Sequence, residues 1–529
     1  MALSMPFSRR LAIVTALLLL VAASRALRID GLDPDGHEIW AIWQSQGGAE
    51  AIIAWTPYDW GSLSFLALGG WQALVGSDPA LLRWLSIFAF LLGCACVYTL
   101  MRALLRRTPL REQAALLALL AYAAPVGLIL FSLFTRGYAL LILLLPPALL
   151  LGLRWSARPG WLTGAGLVAA LALMVYIHPT GLLGAGAVFA FLLLSDGRQV
   201  MRSLPLLLAF AALVAPEVAA KFGTGASRLG SNPLSLQPDR LAALVQFYAG
   251  SPALIWAALL GAAALGVMRR GRAPLRLWLL LAWAAAGLIG LLTVGSIIGL
   301  DAPRHAWWAV FPLALWIAWG LACLPRGAPV AAGVALVGLM FAPMTLNQMD
   351  DSAFPNPPLG ANFDWLAEHA AWGDALVLDP TNACAPFPEE WDYQVANHFP
   401  QGFPLMDDPT GFRRVWYATS NGWFDPDLQA RVSAGRLPGI FVGEPGCVFQ
   451  LFTGAPDPTG IRFENGLRFH GVEVMDAPGL FARPRMNRLT LHEGETIPLR
   501  LWWSVDAPLD AEYSVALHLY DAETGELLA

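Results

Sequence analysis

Long apolar runs follow one another through the first two thirds of the chain, from Leu11 to Leu346. Each run is close to the roughly 20 residues that a helix needs to cross a bilayer, and none shows the period-2 alternation of a strand. Only helices and closed barrels can span a membrane. The pattern therefore predicts an all-α polytopic membrane domain over residues 1–348, with about eleven transmembrane helices.

Basic residues set the predicted orientation of these helices. The predicted spans lie near residues 11–27, 84–101, 113–131, 137–153, 161–177, 180–195, 204–220, 253–268, 275–295, 306–323 and 328–345. Arginines concentrate in the connectors 102–111, 154–158, 198–202 and 269–276 and around Arg326. Cytoplasmic loops carry such an excess of positive charge. We therefore expect a multi-pass protein of the plasma (inner) membrane, with a cytoplasmic N-terminus and an extracytoplasmic C-terminal domain.

Two segments leave alternatives open. Arg9 and Arg10 ahead of the first apolar run indicate a signal anchor, whereas Ala22-Ala23-Ser24 also fits a cleaved signal peptide. Residues 62–76 are apolar but short, and a crossing there would place every later basic connector outside. We interpret them as a juxtamembrane or re-entrant helix in a first outer loop at about 28–83, with an extra short span as the alternative.

Polar residues and proline return after residue 348 and predict a soluble C-terminal region. A proline-containing linker covers 349–360, and a small α/β domain follows at 361–462, with strand 439–442 expected beside strand 375–378. Alternating apolar positions predict a β-sandwich-like domain at 463–529. A sandwich needs more strands than this range supplies, so we expect a fragment. Cys384 and Cys447 either form a disulfide or remain free.

Composition supports this division and excludes some functions. The chain is 57% hydrophobic and 13% charged, against about 25% charged residues in soluble domains. Its net charge of −5 averages a basic membrane half and an acidic C-terminal region. No basic patch interleaved with aromatic residues indicates nucleic acid as a partner. The five cysteines lack the spacing of metal ligands.

Unusual polar residues gather on the predicted outer side of the membrane. They are Asp35, Glu38, Asp59 and Trp60 in the first outer loop, and Arg136, Tyr138, His178, Arg240, Arg304 and His305 in later loops or at helix ends. Ionisable groups near the bilayer are costly and often functional, although solvated loop carboxylates and snorkelling arginines are the structural alternatives. Carboxylates and cations at one interface suit an anionic, lipid-attached substrate that is attacked with the help of a base.

Several short motifs along residues 1–345 occur in the order found in one enzyme family. They are Asp35-Gly36-His37-Glu38, Thr56-Pro57-Tyr58-Asp59-Trp60, the run SDPALLRWLS at 77–86, Arg136-Gly137-Tyr138, Tyr176-Ile177-His178 and Pro303-Arg304-His305. Together they resemble the GT-C superfamily of membrane glycosyltransferases, in its protein O-mannosyltransferase and aminoarabinose-transferase-like branch. The family's adjacent Asp-Glu pair and the histidine of its His-Pro-Pro motif are not present here.

The resemblance implies a reaction and its participants. A sugar moves from a polyprenyl-phosphate donor in the membrane to a protein, lipid or glycan acceptor on the extracytoplasmic face, with inversion of the anomeric centre. Asp35 is the expected base, with Glu38 as the alternate base or an orienting group, and Asp59 is a third candidate beside Trp60, which would stack on the sugar. Arginines suit the leaving phosphate. Arg304 and Arg136 are the expected cations, and Arg240 and His178 are the next candidates. Tyr138 and His305 are expected to bind substrate in the same site.

Other functions stay open at this point. Some relatives use a divalent metal, although no ligand set in this sequence indicates one, and no other cofactor is expected. A transporter or flippase for lipid-linked sugars would favour internal repeats and charges at mid-membrane depth. The spans show neither feature convincingly, and Glu217 comes nearest to the second. A non-catalytic membrane assembly protein is the other alternative, because the Asp-Glu motif is broken.

Overall fold

The computed structural model describes most of the chain, in two compact units, Met1–Pro355 and Asn356–Ala529. The described residues are 6–29, 36–46, 48–55, 61–195, 199–225, 238–250, 252–270, 274–294, 303–325, 327–342, 359–371, 373–379, 388–399, 402–419, 425–444, 447–474, 499–509, 511–518, 520–521 and 523–527. The division between the units lies within the predicted linker. The finer boundaries at 361–462 and 463–529 stay predictions.

Helices make up the first unit. They are α1 (Phe7–Ala26), α2 (Gly36–Ser45), α3 (Gly48–Trp55), α4 (Ser62–Val75), α5 (Pro79–Leu104), α6 (Arg111–Ala123), α7 (Val126–Leu133), α8 (Tyr138–Ala157), α9 (Trp161–Ile177), α10 (Gly181–Ser195), α11 (Gln199–Gly225), α12 (Pro238–Ala249), α13 (Ala253–Arg270), α14 (Leu275–Val294), α15 (Trp307–Ala322) and α16 (Ala328–Phe341). A 3₁₀ turn, Pro303–Ala306, precedes α15. Each of the eleven predicted spans coincides with a helix or, for 113–131, with the pair α6 and α7.

Length separates these helices into two groups. Among the residues that the structure describes, seven helices are long and apolar enough to cross a membrane, or up to eight if the pair α6 and α7 is one span bent by 69°. Helices α4, α9, α10 and α16 are apolar but shorter. A multi-pass helical membrane unit is therefore confirmed, while the count of eleven stays a prediction.

The bend between α6 and α7 is held by a buried arginine from α1. Arg25 is fully buried and donates to the carbonyl of Ala123 and, at 3.2 Å, to the hydroxyl of Ser132. Its guanidinium also lies 5.0 Å from the centroid of the Phe90 ring. Pro125 interrupts helical hydrogen bonding at this point, and Arg25 satisfies a carbonyl that the interruption releases.

Small residues allow the helices of this unit to approach each other closely. A Cβ on Gly320 of α15 would lie 2.3 Å from the Ala263 carbonyl oxygen of α13, and one on Gly266 would lie 1.9 Å from the Gly320 carbonyl oxygen. Neither distance accommodates a side chain. The contact is the small-residue packing expected between membrane helices.

The second unit contains α17 (Leu359–His369), α18 (Pro388–His398), α19 (Pro426–Ser433) and two sheets. The first sheet has the order β1 (Ala375–Leu378), β2 (Arg414–Thr419), β4 (Cys447–Gly454) and β3 (Arg436–Glu444), with β1 and β2 parallel. The prediction that strand 439–442 neighbours strand 375–378 is wrong, because β2 and β4 lie between them. The pairing of Cys384 and Cys447 lies outside the described residues.

The second sheet is antiparallel, in the order β5 (Ile461–Arg462), β6 (Leu467–Val474) and β7 (Leu499–Val505). A second layer of a sandwich is not found among the described residues of this unit, so the sandwich stays a prediction. Glu473 of β6 accepts a hydrogen bond from Arg413 at 3.0 Å, and Arg414 of β2 pairs with Asp374 at 2.7 Å. Burial lowers the pKa of Arg414, but Asp374 and Glu473 outweigh it and raise that pKa above its ordinary value.

Candidate active site

A buried ion pair joins α2 to the start of α5. Asp78 caps α5 by accepting hydrogen bonds from the backbone N–H groups of Ala80 and Leu81. Arg83 follows in the first turns of that helix, and its Nη2 lies 2.8 Å from Oε2 of Glu38. Both side chains are almost fully buried. Because a buried charge is tolerated only when it is paired and hydrogen-bonded, this pair depends on its geometry.

The ion pair also holds the segment that leads into α8. Oε1 of Glu38 accepts a hydrogen bond from the backbone N–H of Thr135 at 2.8 Å, and Nη1 of Arg83 donates to the Ile29 carbonyl at 2.8 Å. The residues after α1, the start of α2, the start of α5 and the segment before α8 therefore meet at one carboxylate and one guanidinium. Glu38, a candidate base, is already occupied as an acceptor by Arg83 and Thr135.

Glycines bring α4 against the ends of α8 and α9. A Cβ on Gly61 would lie 2.0 Å from the Tyr176 carbonyl oxygen, and one on Gly137 would lie 2.9 Å from Cβ of Ser64. Such distances require the absence of a side chain. Helix α4 thus covers the turn between α9 and α10 and the start of α8, where several candidate residues lie.

Four of the candidate residues form a continuous row at this end of the helices. The Arg136 guanidinium lies 5.7 Å from the centroid of the Tyr138 ring. Ring centroids are 5.1 Å apart between Tyr138 and His178, and 5.9 Å apart between His178 and His305. The start of α8, the end of α9 and the turn before α15 therefore meet here, as expected if these residues share one side of the membrane.

Two cavities adjoin this row. A small pocket with about 360 Å³ of empty space, including its open mouth, is lined by Thr135, Arg136, Tyr138 and His178 together with residues of α2, α4 and α9. A larger groove, with about 1050 Å³ of empty space, is almost entirely apolar and lies between α6, α12, α13, α14 and α15. Ala306, next to His305, lines the groove. The polar row and the apolar groove are thus neighbours.

The structure gives less detail about the other candidate residues of the site. Arg304 lies half-buried in the 3₁₀ turn, and Arg240 lies half-buried in α12, a helix between the predicted spans 204–220 and 253–268. Helix α12 packs against the 3₁₀ turn, where the Tyr248 hydroxyl donates to the Pro303 carbonyl at 3.3 Å. Asp35, Asp59 and Trp60 lie outside the described residues, so their roles stay predictions.

Sequence reasoning missed two residues of this region. Arg83 belongs to a motif noted in the sequence, but nothing there linked it to Glu38, 45 residues earlier. Thr180 gave no signal of its own, and the structure places it between His178 and Trp307. Within the described part of the chain, no group of three or more His, Cys, Asp or Glu side chains is placed to hold a metal ion.

Comparison with solved structures addresses the fold directly. The chain matches the crystal structure of ArnT from Cupriavidus metallidurans in the apo state, with a TM-score of 0.52 and 14% identity over 83% of this chain and 98% of that one. ArnT bound to undecaprenyl phosphate gives 0.51 and 14%, over 84% and 98%. The chain has a GT-C fold.

Other comparisons add little to this likeness in fold. The arabinosyltransferase EmbB from Mycobacterium smegmatis is similar at 18% identity over 60% of this chain and 31% of that one, but its TM-score of 0.33 is too low to support an argument. No family model matches the chain, and no curated protein matches its sequence. At 14% identity the likeness to ArnT concerns the GT-C fold and not the substrate.

Proposed function

We propose that the chain is an integral membrane glycosyltransferase that moves a sugar from a polyprenyl-phosphate donor to an acceptor hydroxyl on the extracytoplasmic face. The observation that carries this proposal is the row from Arg136 to His305 beside a large apolar groove. A substrate with an anionic headgroup and a long hydrocarbon chain needs both features side by side. The GT-C fold and an ArnT structure bound to undecaprenyl phosphate support the same substrate class.

The donor would bind with its prenyl chain in the groove and its phosphate near the cations. Leu244, Trp256, Leu288 and Leu313 line the groove from four different helices. Burial of apolar surface favours a hydrocarbon chain there. Arg136 and Arg304 are the proposed phosphate ligands, with Arg240 as a third cation, since guanidinium groups match phosphate oxygens and stabilise the charge that develops on a leaving phosphate.

Asp35 is the proposed general base. Its carboxylate would take the proton of the acceptor hydroxyl as the acceptor oxygen bonds to the anomeric carbon, while the bond from that carbon to the phosphate oxygen breaks and polyprenyl phosphate leaves. Glu38 is less suited to this role, because its oxygens already accept hydrogen bonds from Arg83 and Thr135. We propose that Glu38 positions the loop that carries Asp35, three residues earlier.

The test is sugar transfer by the purified protein in liposomes, supplied with a panel of polyprenyl-phosphate sugars of several prenyl lengths. We expect transfer by the wild type and a loss of about 10²-fold or more in Asp35→Asn, because general-base assistance typically contributes about 10²–10⁴-fold. Asp33→Asn makes the same charge change two residues away and should keep activity. Transfer by Asp35→Asn at the wild-type rate would move the base elsewhere.

The absence of transfer from every donor would favour the other two functions. A folded protein that moves lipid-linked sugar between leaflets without transferring it would be a flippase. A protein that does neither would be a non-catalytic assembly protein on the GT-C scaffold. Both outcomes would contradict the proposed glycosyltransferase.

A further inference from the structure

Six arginines gather at the end of α5 that lies away from the candidate active site. They are Arg9 and Arg10 in α1, Arg102 in α5, Arg106 and Arg107 in the turn between α5 and α6, and Arg111 at the start of α6. These six arginines form the basic cluster. The segments that supply them, 7–12 and 98–113, contain a single carboxylate, that of Glu112. The cluster therefore carries a large excess of positive charge, roughly 30 Å along α5 from the ion pair near its start.

Glu112 holds part of the basic cluster together but cannot balance its charge. Its Oε1 lies 2.9 Å from Nε of Arg102, 3.2 Å from Nη2 of Arg111 and 3.9 Å from Nη1 of Arg10. Its Oε2 accepts a hydrogen bond from the Tyr98 hydroxyl at 2.8 Å. One carboxylate thus brings arginines of α1, α5 and α6 to the same place. Because three positive charges share one negative charge, this place keeps a net positive charge.

The turn between α5 and α6 presents two more arginines at a defined position. The backbone N–H and the hydroxyl of Thr108 both donate to the Leu105 carbonyl at 2.9 Å, and the Leu105 side chain is buried. Arg106 and Arg107, within this turn, are exposed. In the part of the chain that the structure describes, neither side chain pairs with a carboxylate. A turn that is already ordered loses little entropy when its side chains bind a ligand.

Two helices also begin at the basic cluster. Helix α1 begins at Phe7 after Pro6, and α6 begins at Arg111 after Leu110. No side chain among the described residues caps either helix. The N-terminus of a helix carries a partial positive charge and attracts anions. Both helix ends therefore add to the preference of the arginines for an anion.

Apolar side chains border the basic cluster and distinguish a lipid from a soluble anion. Phe7 is 69% exposed, and the centroid of its ring lies 5.2 Å from the Arg10 guanidinium. Leu11, one turn further along α1, is 55% exposed. Helices α1 and α5 are both long and apolar enough to cross a membrane. Arginines at the ends of such helices reach the depth of lipid headgroups, where their forked N–H groups match phosphate oxygens.

We propose that the basic cluster binds the headgroup of an anionic phospholipid, with its phosphate held by the arginines and its acyl chains along the membrane helices. Basic pockets between membrane helices bind anionic headgroups in this way. The bound phosphate offsets the repulsion among the arginines and therefore stabilises the contact of α1, α5 and α6. The site is separate from the candidate active site and does not rest on the proposed glycosyltransferase. It faces the leaflet that the charge pattern predicts to be cytoplasmic.

The test is a titration of the full-length protein in detergent with phosphatidylglycerol, and with zwitterionic phosphatidylcholine beside it. Native mass spectrometry counts the bound lipid, and the unfolding temperature reports its effect on the fold. We expect phosphatidylglycerol to bind and to raise the unfolding temperature, and phosphatidylcholine to do neither to a comparable extent. Arg106→Gln combined with Arg107→Gln should weaken phosphatidylglycerol binding about tenfold or more. Arg106→Lys combined with Arg107→Lys keeps both charges and should keep most of the binding.

Two further variants separate a built site from the general attraction of a basic surface for anionic lipid. Glu112→Gln removes the carboxylate that competes with the headgroup, so it should tighten phosphatidylglycerol binding about fivefold. Arg269→Gln combined with Arg270→Gln removes two exposed arginines from the end of α13 and should leave binding unchanged. Equal weakening by the α13 variant and the Arg106 and Arg107 variant would show bulk charge and overturn the proposed site.

Other results would also contradict an anionic lipid site. Phosphatidylcholine that binds as tightly as phosphatidylglycerol would overturn the role of charge. Unchanged binding in the double glutamine variant of Arg106 and Arg107, with its lipid-free unfolding temperature intact, would overturn the role of the turn. Displacement of phosphatidylglycerol by an equal concentration of glycerol phosphate would assign the cluster to a soluble phosphate and overturn the lipid.

Discussion

Helix α5 carries an arginine–glutamate cluster at each end, and the two clusters differ in kind. Near its start, Arg83 pairs with Glu38, and their side chains are 2% and 0% exposed. Near its end, Arg102 lies 2.9 Å from Glu112, and these side chains are 23% and 21% exposed. Arg10 and Arg111 share the same Glu112 carboxylate at 3.9 and 3.2 Å.

From this difference we expect burial, more than the number of contacts, to decide how strongly each cluster stabilises the fold. Three arginines around one half-exposed carboxylate can each exchange the carboxylate for water, and salt screens their attraction. Arg83 and Glu38 have no comparable exchange with solvent, so each charge depends on the other. The buried pair connects the segments around the pocket, whereas the exposed cluster lies in the arginine-rich stretch that predicts the cytoplasmic side.

Breaking the buried pair should have the largest effect. Glu38→Gln keeps the shape of the side chain but removes the charged carboxylate with which the buried Arg83 pairs. We expect a loss of roughly 3–5 kcal/mol in the free energy of unfolding, measured as a lower unfolding temperature in detergent. Any folded fraction should transfer sugar poorly, because the loop that carries Asp35 loses its anchor.

The double variant Glu38→Gln with Arg83→Gln is the control. It removes both charges, so it should be more stable than either single variant. If Glu38→Gln alone unfolds at the wild-type temperature, the ion pair does not hold these segments together.

A smaller effect should follow from moving α2, the helix that carries Glu38, without touching any charge. A Cβ on Gly69 of α4 would lie 2.7 Å from the Ser45 carbonyl oxygen of α2. Gly69→Ala should therefore push α2 away and cost roughly 1–3 kcal/mol. Unfolding temperature and sugar transfer would be measured together, because a displaced α2 should strain the ion pair of Glu38.

The next residue provides a matched control. Among the described residues, no atom beyond the adjacent residues and backbone of α4 itself lies within 4 Å of a Cβ built on Gly70. Alanine in a helix interior is favoured over glycine by roughly 0.5–1 kcal/mol. Gly70→Ala should therefore be neutral or slightly stabilising. Equal effects of the two substitutions would mean that α4 is not packed closely against α2.

The sequence predicted the positions of the membrane helices well but not their lengths. Apolar runs locate helices because hydropathy is a local property of the chain. Whether α10 or α16, of 15 and 14 residues, crosses the bilayer depends on tilt and neighbouring helices. Likewise, Pro125 marks a break within the predicted span 113–131, but the bend of 69° is held by Arg25 from a distant helix.

The candidate site was also predicted only in part, because only some of its features are local properties of the sequence. Arg136, Tyr138, His178 and His305 lie at helix ends, so a topology derived from charge could place them on one side together. The partners of Glu38 and His178 could not be found in this way. Arg83 is 45 residues from Glu38 and Trp307 is 127 residues from Thr180, and such pairings arise only from tertiary packing. The wrong neighbour for strand β1 has the same origin.

The exposed cluster should respond least of all. Glu112→Gln leaves Arg10, Arg102 and Arg111 without their shared carboxylate, but arginines at a helix end can turn toward water or lipid headgroups. We therefore expect a loss within roughly 1 kcal/mol, which shrinks further at high salt because exposed charges are screened. The same unfolding assay at low and high salt, with Glu38→Gln beside it, measures the contrast, since burial protects the Glu38 pair from screening. A loss in Glu112→Gln as large as that in Glu38→Gln, and independent of salt, would show that the two ends of α5 are equally important to the fold.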